Sequence, residues 1–179
     1  MQKLPEFEQI YLELDDDQYP FTSITHVRHA ARAVCVNKEG KIALTHLFAT
    51  DGFGKRNYYE LPGGGKKDNE SLEEALVREM EEELGVTGQI VTKLGIVKDY
   101  YNLIKQENYS HYYLFKIEEE KEKHLEERES RLIDKIVYVT IDEAIRYMTE
   151  QDDFGVSILV KRRELPILQL TKTILFDTK

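Results

Sequence analysis

Residues 61–86, LPGGGKKDNESLEEALVREMEEELGV, constrain this chain more than any other stretch. Pro62 ends a short extended run, YYELP, because proline cannot donate to a sheet ladder. Three glycines, 63–65, follow. Ser71 and Glu74 then form an S-x-x-E capping box, and Gly85 is a helix stop. A strand, a glycine-rich loop and a helix over 72–84 are therefore expected in that order.

The helix carries its charge in an unusual place. At about 100° per residue from Leu72, the apolar residues Leu72, Leu76, Met80 and Leu84 fall between about 0° and 120°, with Ala75 at about 300°. Glu79, Glu82 and Glu83 fall at about 340°, 280° and 20°, on the edge of that stripe and overlapping it. Like charges at i, i+3 and i+4 repel by about 0.2–0.5 kcal/mol per pair on an exposed helix. A solvated face of good helix formers is one account of them. The other is that cations hold them together. Mg²⁺ takes one or two carboxylates with water and substrate phosphates. Arg78, one turn before Glu82, is placed to pair with it, and the glycines let backbone carbonyls approach a metal.

The remaining elements read as follows. Residues 7–14 alternate as a strand, and 25–36 and 41–47 form a hairpin around NKEG. ATDGFGKRN reads as a loop, 89–101 and 109–117 as strands, 118–130 as a charge run and DKIVYVT as a strand. Thr140 and Glu143 make a second capping box before an amphipathic helix, and the tail from 153 reads as helical on both sides of Pro166. Strands with interspersed helices imply an α+β or mixed α/β sandwich, in a single domain over 1–179.

Composition narrows the function. A net charge of -9 argues against a stable nucleic-acid partner but permits a small anionic substrate once metal ions are bound. The lone Cys35 suits a reducing cytoplasm and a small core position. No stretch approaches a membrane span.

The 61–86 stretch resembles the Nudix hydrolase signature G-x5-E-x7-R-E-U-x-E-E-x-G-U, with U a bulky aliphatic residue. Gly64, Glu70, Arg78, Glu79, Met80, Glu82, Glu83, Gly85 and Val86 occupy its specified positions. The resemblance implies an α/β/α sandwich with a mixed sheet and a C-terminal helical segment. It implies Mg²⁺- or Mn²⁺-dependent hydrolysis of a diphosphate linkage in a nucleotide or nucleoside-diphosphate derivative. By similarity Glu79, Glu82 and Glu83 ligate the metals with the Gly63 carbonyl, Arg78 orients a glutamate, and Gly64, Glu70 and Gly85 shape the box. A general base is expected among the box glutamates or in the acidic run at Glu126, Glu127 or Glu129, with Glu127 the chosen candidate.

Arg32, Gly64, Tyr101 and Tyr109 are candidate substrate contacts, the tyrosines by stacking on a base; Arg28, Lys66 and Lys67 are further candidates for phosphate. Strand packing explains most tyrosines equally well. The markers of ADP-ribose, NADH and coenzyme A-cleaving members are missing. A Nudix-like module that binds a nucleotide or a protein without turnover is the alternative. The apolar tail is expected to pack on the sheet or at a homodimer contact.

Overall fold

The computed structural model describes residues 3–51, 54–121 and 132–177. Eight strands form one mixed sheet: β1 (Ile10–Leu14), β2 (His26–Val36), β3 (Ile42–Asp51), β4 (Gly54–Glu60), β5 (Gly63–Gly65), β6 (Val86–Tyr101), β7 (Gln106–Glu120) and β8 (Ile133–Val139). The main path is β1-β6-β7-β2-β3-β4, with β5 paired to β2 and β8 paired to β3. Helix α1 (Leu72–Glu79) continues as a wider π-helical turn, Met80–Leu84. Helices α2 (Ile141–Glu150) and α3 (Gly155–Leu175) follow among the described residues.

Strand alternation sorts the core into two layers. On one face Ala31, Ala33, Cys35, Tyr113 and Phe115 meet Ala75, Leu76, Met80 and Leu84. The small residues of β2 let α1 lie close to the sheet. Leu76 and Met80 are fully buried, each contributing about 1.5–3 kcal/mol. Cys35 is a core residue of this layer, and burial pushes its thiol pKa up. On the other face Val34, Leu44, Tyr112 and Leu114 meet Met148, Val160, Ile167, Leu168 and Ile174. Helices therefore cover both faces, as the family resemblance implied.

Both capping boxes are formed, at Ser71/Glu74 and Thr140/Glu143. Gly85 closes the first helix in the left-handed region, at φ 67°. Two expectations are corrected. The expected hairpin keeps its turn, where Asn37 N–H donates to the Lys41 carbonyl at 3.0 Å. Its strands, however, pair only at Val36 and Ile42, because β5 occupies the edge of β2 from Ala30 to Arg32. The segment read as the loop ATDGFGKRN instead carries β3 on to Asp51 and starts β4 at Gly54. The tail is helical on both sides of Pro166, as expected, and runs through it as one helix. An internal proline costs about 3 kcal/mol, and the buried Val160, Ile167, Leu168 and Ile174 on both sides of it outweigh that.

Candidate active site

A cleft opens where β2 and β3 diverge. It has a volume of about 320 Å³ and is lined by Arg28 and Arg32 of β2, Leu47 of β3, Arg56, Tyr58 and Glu60 of β4, the three glycines of β5, and Arg78, Glu79 and Glu83. Lys67, Tyr101, Gln106, Leu132 and Ile133 line it as well. The cleft therefore combines carboxylates with four arginines.

The glycine run is a strand, not a plain turn. Residues 63–65 pair with Ala30–Arg32, and the ladder is extended by Ala33 N–H to the Pro62 carbonyl (3.0 Å) and Lys66 N–H to the His29 carbonyl (2.8 Å). Gly63 has φ +142°, and a side chain there would begin 2.2 Å from the Ala31 carbonyl oxygen. A Cβ on Gly64 would begin 2.5 Å from Oε1 of Glu79. Only a bare backbone fits between β2 and the carboxylate.

Arg78 organises the carboxylates. Its Nε donates to Glu70 Oε2 at 3.0 Å and its Nη2 to Glu70 Oε1 at 2.5 Å. Nη1 bridges Glu79 Oε1 (2.9 Å) and Glu82 Oε2 (3.1 Å), and Nη2 also reaches the Gly65 carbonyl at 3.1 Å. The hydrogen bonds from Arg78, aided by the Lys67 N–H, hold the Glu70 carboxyl at a pKa of about 2. Glu82 is thus turned towards Arg78. Among the described residues no three acidic, histidine or cysteine side chains form a ready-made metal cage. Arg78 holds Glu79 and Glu82 together, and the wider turn after Glu79 changes the angular spacing of Glu79, Glu82 and Glu83.

Glu79 and Glu83 are each only 4% exposed. Glu83 Oε2 accepts the Gly63 N–H at 3.3 Å. Burial pushes the Glu83 carboxyl well above its ordinary value, and the charges of Glu60 and Glu79 push it the same way. This is an electrostatic deficit on the acidic side, relieved only in part by Arg32. A hard divalent cation suits such a set of buried carboxylates.

The cleft brings together Arg32, Gly64, Arg78, Glu79, Glu83, Tyr101 and, of the further candidates, Arg28 and Lys67. It does not include Tyr109, which lies on the α1 face of the sheet. There Tyr109 stacks on His29 with ring centroids 4.8 Å apart and donates its hydroxyl to Glu107. Glu126, Glu127 and Glu129 lie outside the described residues. Glu60 and Arg56 belong to the cleft and were missed. The signal for Glu60 was alternation from Tyr58 on a strand that leads into the glycine run.

A model of the NUDIX domain matches residues 26–158. This chain belongs to the Nudix family. The RNA pyrophosphohydrolase of Hydrogenovibrio crunogenus (strain DSM 25203 / XCL-2) is 40% identical over 70 residues, a match that spans 37% of this chain and 37% of that protein. Among solved structures, a NUDIX hydrolase from Nitrosomonas europaea superposes with a TM-score of 0.61 at 17% identity, covering 84% of this chain and 93% of the other. A MutT NUDIX hydrolase from Burkholderia pseudomallei gives a TM-score of 0.54 at 24% identity, covering 65% and 85%. These likenesses show a Nudix fold. Among the described residues no helix is long and apolar enough to cross a membrane.

Proposed function

We propose that this Nudix protein is a divalent-metal-dependent pyrophosphohydrolase that cleaves the diphosphate linkage of a nucleotide or nucleoside-diphosphate derivative. The observation that carries the reading is that two buried carboxylates, Glu79 and Glu83, line the same cleft as Arg28, Arg32, Arg56 and Arg78. Glu79, Glu82 and Glu83, with the Gly63 carbonyl, would hold Mg²⁺ or Mn²⁺. Such an ion, when bound, neutralises phosphate oxygens and makes water a nucleophile near neutral pH.

The chain's own residues do the rest. Arg28, Arg32 and Arg56 present cationic groups to a polyphosphate, a planar fork that suits phosphate oxygens. Arg78 fixes the rotamers of Glu79 and Glu82, so the acidic side is set before substrate arrives. The glycine strand lets the Glu79 carboxylate lie directly against its backbone. Tyr58 and Tyr101 supply the cleft's aromatic surface. The likeness to an RNA pyrophosphohydrolase supports adding 5′-triphosphorylated RNA to the compounds tested.

The test is a hydrolysis screen with Mg²⁺ and with Mn²⁺, with Glu83→Gln in parallel. It would cover nucleoside triphosphates including oxidised ones, ADP-ribose, nucleotide sugars, dinucleoside polyphosphates, NADH and a 5′-triphosphorylated oligoribonucleotide. Metal-dependent cleavage that disappears in the variant is expected. Tight binding of one compound with no cleavage of any would replace this reading with that of a binding module.

A further inference from the structure

The end of β4 is clamped from the far side of the sheet by a buried pair on α3. Glu164 is fully buried and Arg163 is 2% exposed. Glu164 Oε1 accepts the Leu61 N–H at 2.7 Å, and its Oε2 accepts the Tyr112 hydroxyl at 2.6 Å. Arg163 Nε donates to the oxygen of that hydroxyl at 2.8 Å. Arg163 Nη1 reaches Asp99 Oδ2 at 3.3 Å and the Tyr101 hydroxyl at 3.0 Å, and Nη2 lies 4.0 Å from Glu60 Oε2. From the sheet itself, Arg32 Nη1 donates to the Leu61 carbonyl at 3.1 Å and lies 3.6 Å from Glu60 Oε1.

Both peptide groups of Leu61 are therefore held, two residues before Gly63. A buried ionic cluster is a poor way to gain stability, since apolar residues of similar volume often do as well or better. What this cluster grips is the cleft: Glu60, Tyr101 and the backbone entering the glycine strand. Arg163 and Glu164 also lie beyond the segment, 26–158, that matches the family.

We propose that Arg163 and Glu164 are positioning residues for the cleft. Glu164 sets Leu61, and through it the Gly63 backbone. Arg163 sets Glu60 and Tyr101. Helix α3 is on this account part of the active site's support and not only a cover for the sheet. The proposal rests on the hydrolase reading above.

The test compares Glu164→Ala and Glu164→Gln with Ile167→Ala, which weakens the packing of the same helix without removing a side-chain hydrogen bond to Leu61. The Gln variant keeps an acceptor for the Leu61 N–H. Turnover is measured well below each melting temperature, Mn²⁺ affinity by electron paramagnetic resonance, and amide exchange over residues 61–65. Loss of an outer support to a metal site typically costs about 10–100-fold in affinity or activity. Glu164→Ala is expected to lose that much in kcat and in Mn²⁺ affinity, with faster exchange at Leu61 and Gly63. Glu164→Gln is expected to recover most of it, and Ile167→Ala to keep wild-type kcat despite a lower melting temperature. Glu164→Leu, which fills the volume while removing the acceptor, gives the same reading if the alanine variant does not fold. Wild-type kcat and Mn²⁺ affinity in Glu164→Ala, or an equal loss in Ile167→Ala, overturns the proposal. A wild-type protein that hydrolyses none of the compounds removes the hydrolase reading, and this one with it.

Discussion

Gly64→Ala moves one carboxylate and little else. Gly64 pairs with Ala31 in a conformation that alanine adopts without strain, so the backbone has no reason to change. The new methyl, however, starts 2.5 Å from Glu79 Oε1, 2.6 Å from its Cδ and 2.9 Å from Oε2. An ordinary contact begins near 3.4 Å, so the Glu79 carboxylate must retreat by about 0.9 Å. Its 2.9 Å bond from Arg78 goes with it. Overpacking of this kind costs about 1–3 kcal/mol of stability. Misplacement of a reacting group by about 1 Å costs about 10²-fold in rate. The expected outcome is a folded protein, a few degrees less stable, whose kcat with Mg²⁺ falls about 10²-fold. Gly65→Ala is the comparison, because the nearest atoms to its methyl belong to the Arg28 side chain, from 3.3 Å, which can shift. The assay is steady-state hydrolysis of whichever compound the screen identifies, beside a thermal melt. A folded Gly64→Ala protein with wild-type kcat would refute the placing of Glu79 at the reaction.

Three further outcomes follow from the same geometry. Glu83 has a raised pKa in the folded chain, so its protonation stabilises the metal-free fold at low pH, and that contribution is lost as pH rises through the raised value. Glu83→Gln should flatten this part of the melting-temperature profile above about pH 4.5 and abolish hydrolysis, both read on metal-free and Mg²⁺-loaded protein. Glu70 behaves oppositely: its carboxyl is depressed to about 2 by Arg78, so its contribution is present above the unfolded value and is lost as pH falls through about 2. Glu70→Gln should therefore remove that segment of the acid-unfolding curve, followed by circular dichroism. Ser71→Ala removes the hydroxyl that accepts the Glu74 N–H at 3.0 Å and should cost about 1 kcal/mol by chemical denaturation while leaving kcat unchanged.

The parts of this protein that depend on neighbouring residues along the chain were legible without the structure. Both capping boxes, the Gly85 stop, the overlap of Glu79 and Glu83 with the apolar stripe, and the pairing of Arg78 with Glu82 follow from spacings of eight residues or fewer. A helix turn and a cap are short-range objects, set by local geometry. Strand pairing is not. That residues 63–65 zip onto β2 and pry it from β3, making the cleft, depends on a partner some thirty positions away. The continuity of α3 through Pro166 was likewise set by packing on the sheet, against the local preference of proline.

The same division runs through the site. Residue identity alone marked the box glutamates, because metal chemistry needs carboxylates close together on one helix. It marked neither Glu60 nor Arg56, which become site residues only because β4 folds against the cleft and lines it. Nor did it separate Tyr101, which lines the cleft, from Tyr109, which stacks on His29, since alternation puts neighbouring tyrosines on opposite faces. Arg163 and Glu164 read as charges on an apolar tail. Folding carries them through the core to Leu61, 103 residues from Glu164 along the chain, where burial makes each hydrogen bond count. Local spacing determined the helix that carries the carboxylates; only long-range packing decided what shares the cleft with them and what holds them in place.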